Sequence, residues 1–153
     1  MVRLSDLPPP VADFLANMPM PEFASTPWAA PPPLRDARVA IVSTAGLHRR
    51  ADRMFQGGAY DYRIIPGDVD LADLAMSHVS VNFDRSGFQQ DVNLVFPLDH
   101  LHALASAGEI ASVAQWHYSF MGATEPTRFE ETGAEVARLL KEDGVTCALL
   151  VPV

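Results

Sequence analysis

Two short apolar runs constrain this chain more than any other feature. Arg38-Val-Ala-Ile-Val-Ser-Thr44 and Val145-Thr-Cys-Ala-Leu-Leu-Val151 have strand length, are rich in β-branched residues and are apolar at consecutive positions. A strand without a polar face must be covered on both sides, the condition met by a parallel sheet between helices. Helical patterns lie between the two runs. Pro97 opens one in which Leu98, Leu101 and Leu104 recur at helical spacing, and Gly108 closes it. Glu125 to Asp143 is the clearest helix: Thr127 and Glu130 have capping-box spacing, Phe129, Val136, Leu139 and Leu140 form the buried stripe, and Gly144 terminates it. Strands separated by helices predict an α/β fold with a mostly parallel open sheet and flanking helices.

Between the outer runs the pattern predicts smaller elements. Tyr60–Ile65 reads as a strand stopped by Pro66-Gly67, and Asp68–Met76 as a short helix with Leu71, Leu74 and Ala75 on one face. His78–Phe83 alternates with period two, placing Val79, Val81 and Phe83 on one side of a half-buried strand. Asp91–Phe96 reads as a further short strand or a buried turn. Nine of the thirteen prolines precede Leu34, so residues 1–37 cannot contribute a central strand or a long helix. One short helix fits Val11–Met18, with Pro10 in its first turn. The segment 1–37 is expected to be a proline-rich arm packed on the domain by Phe14, Leu15, Met18, Phe23 and Trp28, with a disordered tail as the alternative. The α/β domain is expected over residues 38–153.

The charge balance narrows the partners. Eleven basic against nineteen acidic residues give a net charge of −8, which opposes nucleic-acid binding because counterion release needs several cations facing phosphates. No apolar run reaches the ~20 residues of a membrane helix, and no basic-then-apolar leader opens the chain. The single cysteine, Cys147, excludes an internal disulfide framework and a multi-cysteine zinc site. It fits a reducing compartment, so a cytoplasmic protein is expected.

Candidate chemistry gathers at the strand ends. Thr44-Ala-Gly-Leu-His-Arg-Arg50 follows the first buried run, and ligands of open α/β sheets bind at this carboxyl edge. Gly46 can bring the backbone close to an anion, and Arg49 or Arg50 can supply charge-assisted hydrogen bonds. The bland alternative is a tight turn with solvated arginines. Gln115-Trp-His-Tyr-Ser-Phe-Met-Gly122 places His117 and Ser119 at i, i+2, on one face if extended, which suits a pocket wall; a hydrogen-bonded core histidine is the alternative. Asp99-His100-Leu101-His102 is not a metal motif on a helix, where residues two apart point ~200° apart. No metal site is expected. Cys147 has no adjacent cation to stabilise a thiolate and reads as a small hydrophobe.

Several blocks, in order, resemble one family. They are Val39–Arg50, Ser77-His78, Asn82–Asp84, Asp91–Pro97, His117–Ala123, Leu140–Val145 and Leu149–Pro152. Together they resemble selenoprotein B of the glycine, betaine, sarcosine and D-proline reductases, most closely the D-proline reductase branch, over about residues 38–153. The resemblance implies reductive cleavage of a C–N bond in a small amine or amino acid. It also implies electrons from a dithiol or thioredoxin-like donor, and other reductase subunits as partners. In the family a selenocysteine or cysteine nucleophile follows a strand that ends like Leu149-Leu-Val-Pro-Val153. This sequence stops there, so the expectation is an α/β domain incomplete at its C-terminus, with the redox residue expected immediately after Val153 and no cofactor in the chain itself. The substrate-side pocket is expected from Thr44, Gly46, His48, Arg49, His117 and Ser119. A non-catalytic ligand-binding or assembly subunit that completes its sheet with a partner chain is the alternative.

Overall fold

The first apolar run forms β1 (Arg38–Ser43), and it becomes the centre of a sheet. The computed structural model describes residues 3–18, 22, 29–80 and 85–153. On one side β1 pairs in parallel with β7 (Cys147–Val151), from Val39 opposite Cys147 to Ser43 opposite Val151. On the other side two short parallel strands share it: β5 (Ser112–Val113) pairs with Arg38 and Val39, and β6 (Trp116–Ser119) with Val42 and Ser43. The outer strand β3 (Arg63–Pro66) runs antiparallel to β6. The fold is therefore mixed α/β with a mostly parallel sheet, as the alternation of patterns predicts. A separate antiparallel pair joins β2 (Leu47–Arg49) to β4 (Leu74–Met76).

Helices cover both faces. Helix α3 (Leu98–Ser106) buries Leu98 and Leu101 in the larger core with Val39, Ile41, Leu47, Ile65 and Phe96. Helix α4 (Glu130–Glu142) buries Val136 against Tyr118 and Phe120 on the other face, flanked by Phe129, Leu139 and Leu140. Each fully buried side chain of this size contributes roughly 1.5–3 kcal/mol. Gly108 and Gly144 end these helices in the left-handed region, at φ of 74° and 69°. Two smaller helices are α1 (Pro9–Ala16) and α2 (Ser86–Gln90). Among the described residues no helix is long and apolar enough to cross a membrane.

Local chemistry overturns several expectations. The stretch 68–76 is not a helix: the Asp70 carboxylate accepts the Ala72 N–H, which sets a 3₁₀ turn at Leu71–Asp73, and Leu74–Met76 then extends to pair with β2. The strand expected at Tyr60–Ile65 starts only at Arg63 and includes Pro66, which an outer strand tolerates. Asp91–Phe96 takes the turn alternative, with Asp91 accepting the Asn93 N–H. Thr127 makes no capping box; its hydroxyl donates to Glu125, and a 3₁₀ turn at Pro126–Phe129 precedes α4. Helix α1 forms two residues earlier than expected, but Phe14, Leu15 and Met18 stay exposed, so these side chains do not pack the arm onto the domain. Phe23 and Trp28 lie outside the described residues, as do Val81, Asn82, Phe83 and Asp84. Residues 77–80 form no strand, and Val79 is exposed. Strand β7 is not covered on both faces, since Leu150 is 69% and Leu149 38% exposed, and among the described residues it pairs only with β1.

Candidate functional site

At the carboxyl edge of β1 the chain turns sharply, and two other segments close on that turn. Thr44 donates its N–H to Val151 O at 3.0 Å. Its hydroxyl accepts the Val153 N–H at 2.8 Å and donates to Val153 O at 3.3 Å. Gly122, arriving from β6, donates its N–H to Thr44 O at 2.8 Å. A Cβ on Gly122 would lie 2.4 Å from Val153 O and 2.9 Å from Thr44 O, both backbone atoms. Only glycine fits there. Thr44, Gly122 and Val153 thus form one tight cluster at the edge where open α/β sheets bind ligands.

Gly46 serves the turn itself. Its φ of 65° is left-handed, and a Cβ would meet the backbone N of His78 at 3.1 Å. It brings the chain close to His78 and not to an open anion site. The Gly46 N–H bonds Phe120 O at 2.8 Å, and Gly46 O accepts the Ser77 N–H at 3.0 Å. Below the turn, the buried Ser119 hydroxyl accepts the Leu47 N–H at 2.8 Å. Ser119 is therefore a support for the turn.

The remaining predicted residues lie elsewhere. His48 is buried on β2, its Nδ1 2.8 Å from Arg49 O, so Nδ1 carries the proton and donates it to that carbonyl. Arg49 is engaged by Asp52 through Nε at 3.1 Å, Nη2 at 3.0 Å and its backbone N–H at 3.2 Å. The side-chain hydrogen bond from Arg49 holds the Asp52 carboxyl below its usual range, against the opposing effect of burial. His117 is wholly buried and takes the core alternative. Its Nδ1 accepts the Ile41 N–H at 2.9 Å, and its ring meets Phe96 edge-on at 5.6 Å. Burial pushes its pKa down to about 4, so the ring is neutral at pH 7. The structure thus brings Thr44, Gly46 and Ser119 together at one turn and sets His48, Arg49 and His117 apart from it.

Sequence reasoning missed Gly122, whose role rests on two backbone contacts with no signature in composition. It also missed a cavity of about 570 Å³ beside β2 and β4, lined by Leu47, Leu74, Met76, Phe88, Arg50 and Arg85 among others. Among the described residues no group of three or more His, Cys, Asp or Glu converges as a metal site. His102, on α3, has Nε2 2.8 Å from Gly67 O. Cys147 is a free, half-buried cysteine on β7.

Comparison with known proteins adds the family context. The profile of glycine/sarcosine/betaine reductase selenoprotein B matches residues 10–152. D-proline reductase subunit gamma of Acetoanaerobium sticklandii is 41% identical over 120 residues, which cover 76% of this chain and 49% of that protein. Sarcosine reductase complex component B subunit beta of Peptoclostridium acidaminophilum is 30% identical over 145 residues, 90% of this chain and 33% of that protein. The betaine reductase component B subunit beta of the same organism is 30% identical over 138 residues, 85% and 30% of the two chains. The chain spans half or less of the length of these curated relatives. No solved structure matches.

Proposed function

The chain belongs to the glycine/sarcosine/betaine reductase selenoprotein B family, and from that premise we propose that it supplies the sheet edge at which a reductase subunit cleaves the C–N bond of a carboxylate-bearing amine. D-proline is the first substrate to try, because the 41% identical relative is a D-proline reductase subunit. The reaction balances with a dithiol or thioredoxin-like donor. The C–N bond breaks, carbon and nitrogen each gain a hydrogen, and two thiols become a disulfide; the amine departs from an acyclic substrate and stays attached through its other carbon when the D-proline ring opens. The redox residue in this proposal is a selenocysteine or cysteine next after Val153. A reducing, cytoplasmic setting and other reductase subunits as partners belong to the same reading.

One observation carries it: Thr44 holds Val153 by both its N–H and its carbonyl, against the glycine at 122. A residue following Val153 emerges at the carboxyl edge, beside the turn 44–46. A covalent intermediate on a nucleophile there divides a hard cleavage into easier steps. In this role Thr44 and Gly122 position the neighbouring backbone, and Gly46 and Ser119 hold the turn. His48, Arg49 and His117 support the framework.

The test has two parts. Sequencing the transcript beyond codon 153 is expected to give an in-frame UGA or cysteine codon and a continuing frame. Protein carried through that residue is then assayed with dithiothreitol and D-proline, glycine, sarcosine or betaine. Amine cleavage is expected only when that residue is present, and Thr44→Val is expected to lower kcat. Turnover by the 153-residue chain unaided would overturn the proposal. A second reading, a non-catalytic subunit completing its sheet with a partner chain, draws on the exposed Leu149 and Leu150 of β7. It predicts stable complex formation with no cleavage in any arm.

A further inference from the structure

The cavity described above lies where the chain leaves the carboxyl edge. Its floor is apolar: Leu47 and Leu74 are buried, and β2–β4 pairing places Leu47 opposite Met76. Phe88, from α2, also lines it. At about 570 Å³ it falls within the roughly 300–1,000 Å³ of small-molecule pockets, and more of its open surface is polar than apolar. The Leu47 N–H is held by Ser119, so the pocket wall is tied to the same turn that supports Thr44.

The charge at this pocket is inverted relative to the whole chain. Among the described residues its lining carries Arg50 and Arg85 against one acid, Asp91, in a protein of net charge −8. The Asp91 carboxylate is occupied by the N–H and side-chain amide of Asn93, at 2.9 and 3.1 Å. Arg85 donates to the carbonyls of His78 and Ser80, which fixes its guanidinium. Arg50 is anchored differently. Its backbone N–H bonds Asp73 O at 2.9 Å and its Nε donates to Ala72 O at 3.2 Å. Among the described residues its terminal nitrogens make no other hydrogen bond. A guanidinium oriented through Nε, with both Nη groups left over, suits the two oxygens of a carboxylate.

We infer that this cavity binds a small organic acid, the Arg50 guanidinium taking the carboxylate and the Leu47–Met76–Phe88 floor taking a compact apolar body. The inference deepens the reductase reading and rests on it only for the identity of the acid as the amine substrate. Arg50 is a binding residue here and touches no breaking bond.

The test is equilibrium binding to the full 153-residue chain, followed by amide NMR shifts. Cyclopentanecarboxylate and D-proline are the probes; cyclopentylmethanol and inorganic phosphate are the controls. Cyclopentanecarboxylate is expected to shift the amides of residues 74–76 and 88–92 saturably, with each control at least about tenfold weaker. Arg50→Gln is expected to weaken carboxylate binding about tenfold or more, the size of one charge-assisted contact, and Arg50→Lys to recover part of it. Ala75→Leu, which adds bulk to the lining, is expected to weaken both acids while leaving the circular-dichroism spectrum unchanged. Equal binding of the alcohol, equal binding of phosphate, or full affinity in Arg50→Gln overturns the inference. The two readings fail separately. C–N cleavage with an unchanged KM in Arg50→Gln removes the pocket and spares the reductase. Carboxylate binding without cleavage in the extended protein does the reverse.

Discussion

Replacing Gly122 by alanine adds one methyl group at the most crowded point of the carboxyl edge. The new Cβ would stand 2.4 Å from Val153 O and 2.9 Å from Thr44 O. Ordinary carbon–oxygen separation is roughly 3.3–3.6 Å, so the segments must part by about 1 Å. That movement stretches two hydrogen bonds now at 2.8 Å, Gly122 N–H to Thr44 O and Val153 N–H to Thr44 Oγ1. Overpacking of this kind costs about 1–3 kcal/mol, and each hydrogen bond contributes about 1 kcal/mol net. The alanine recovers about 0.4–1 kcal/mol by restricting the unfolded chain. The net expectation is a loss of about 2 kcal/mol. With a urea slope near ~2 kcal/mol/M the midpoint falls by about 1 M. Gly133→Ala is the internal control: it lies in α4 with nothing within 4 Å of a new Cβ, so it is expected to gain about 0.5–1 kcal/mol. Urea titrations followed by circular dichroism compare the two. A Gly122→Ala protein as stable as Gly133→Ala would refute the crowding argument, since neither glycine has a positive φ to explain away the result.

Two further outcomes follow from ionisable groups held by the fold. His117 is neutral in the fold, its pKa lowered from 6.5 to about 4, so its contribution is complete above pH 6.5 and is lost as pH falls toward 4. The loss is of order 3 kcal/mol, and His117→Leu is expected to flatten the stability slope over that window in urea titrations at stepped pH. The Asp143 carboxyl is pushed up by burial but held below its usual range by Arg38 and by the Gln115 and Trp116 N–H groups at 2.8 and 3.1 Å. Asp143→Ala strands both amides and the Arg38 guanidinium and is expected to cost about 3 kcal/mol, read as a lower urea midpoint.

The parts of this fold legible in the sequence are those whose cause is local or periodic. The two apolar runs became the paired strands β1 and β7, and the Leu98–Leu101 spacing with Gly108 became α3. Failures came where one side chain redirected the backbone. Asp70 turned an apparent helix into a 3₁₀ turn that feeds β4, and Thr127 bonded Glu125 in place of the helix end. The candidate site divides the same way. Thr44 and Gly46 sit at the predicted edge because strand length fixes where β1 stops. His117 and Arg49 went elsewhere because their partners, Ile41 and Asp52, are set by packing or by a turn that periodicity does not encode. Gly122 was invisible because its constraint arises from segments 78 and 31 positions away, at Thr44 and Val153.

The interval between β5 and β6 has a lasting consequence. There the Ile41 amide is received by an imidazole and not by a main-chain oxygen. A carbonyl acceptor survives every mutation, because all twenty amino acids carry one. This rung can be erased by a single codon change. Amide exchange at Ile41 is therefore a reporter of one gene-encoded ring within the β1 ladder.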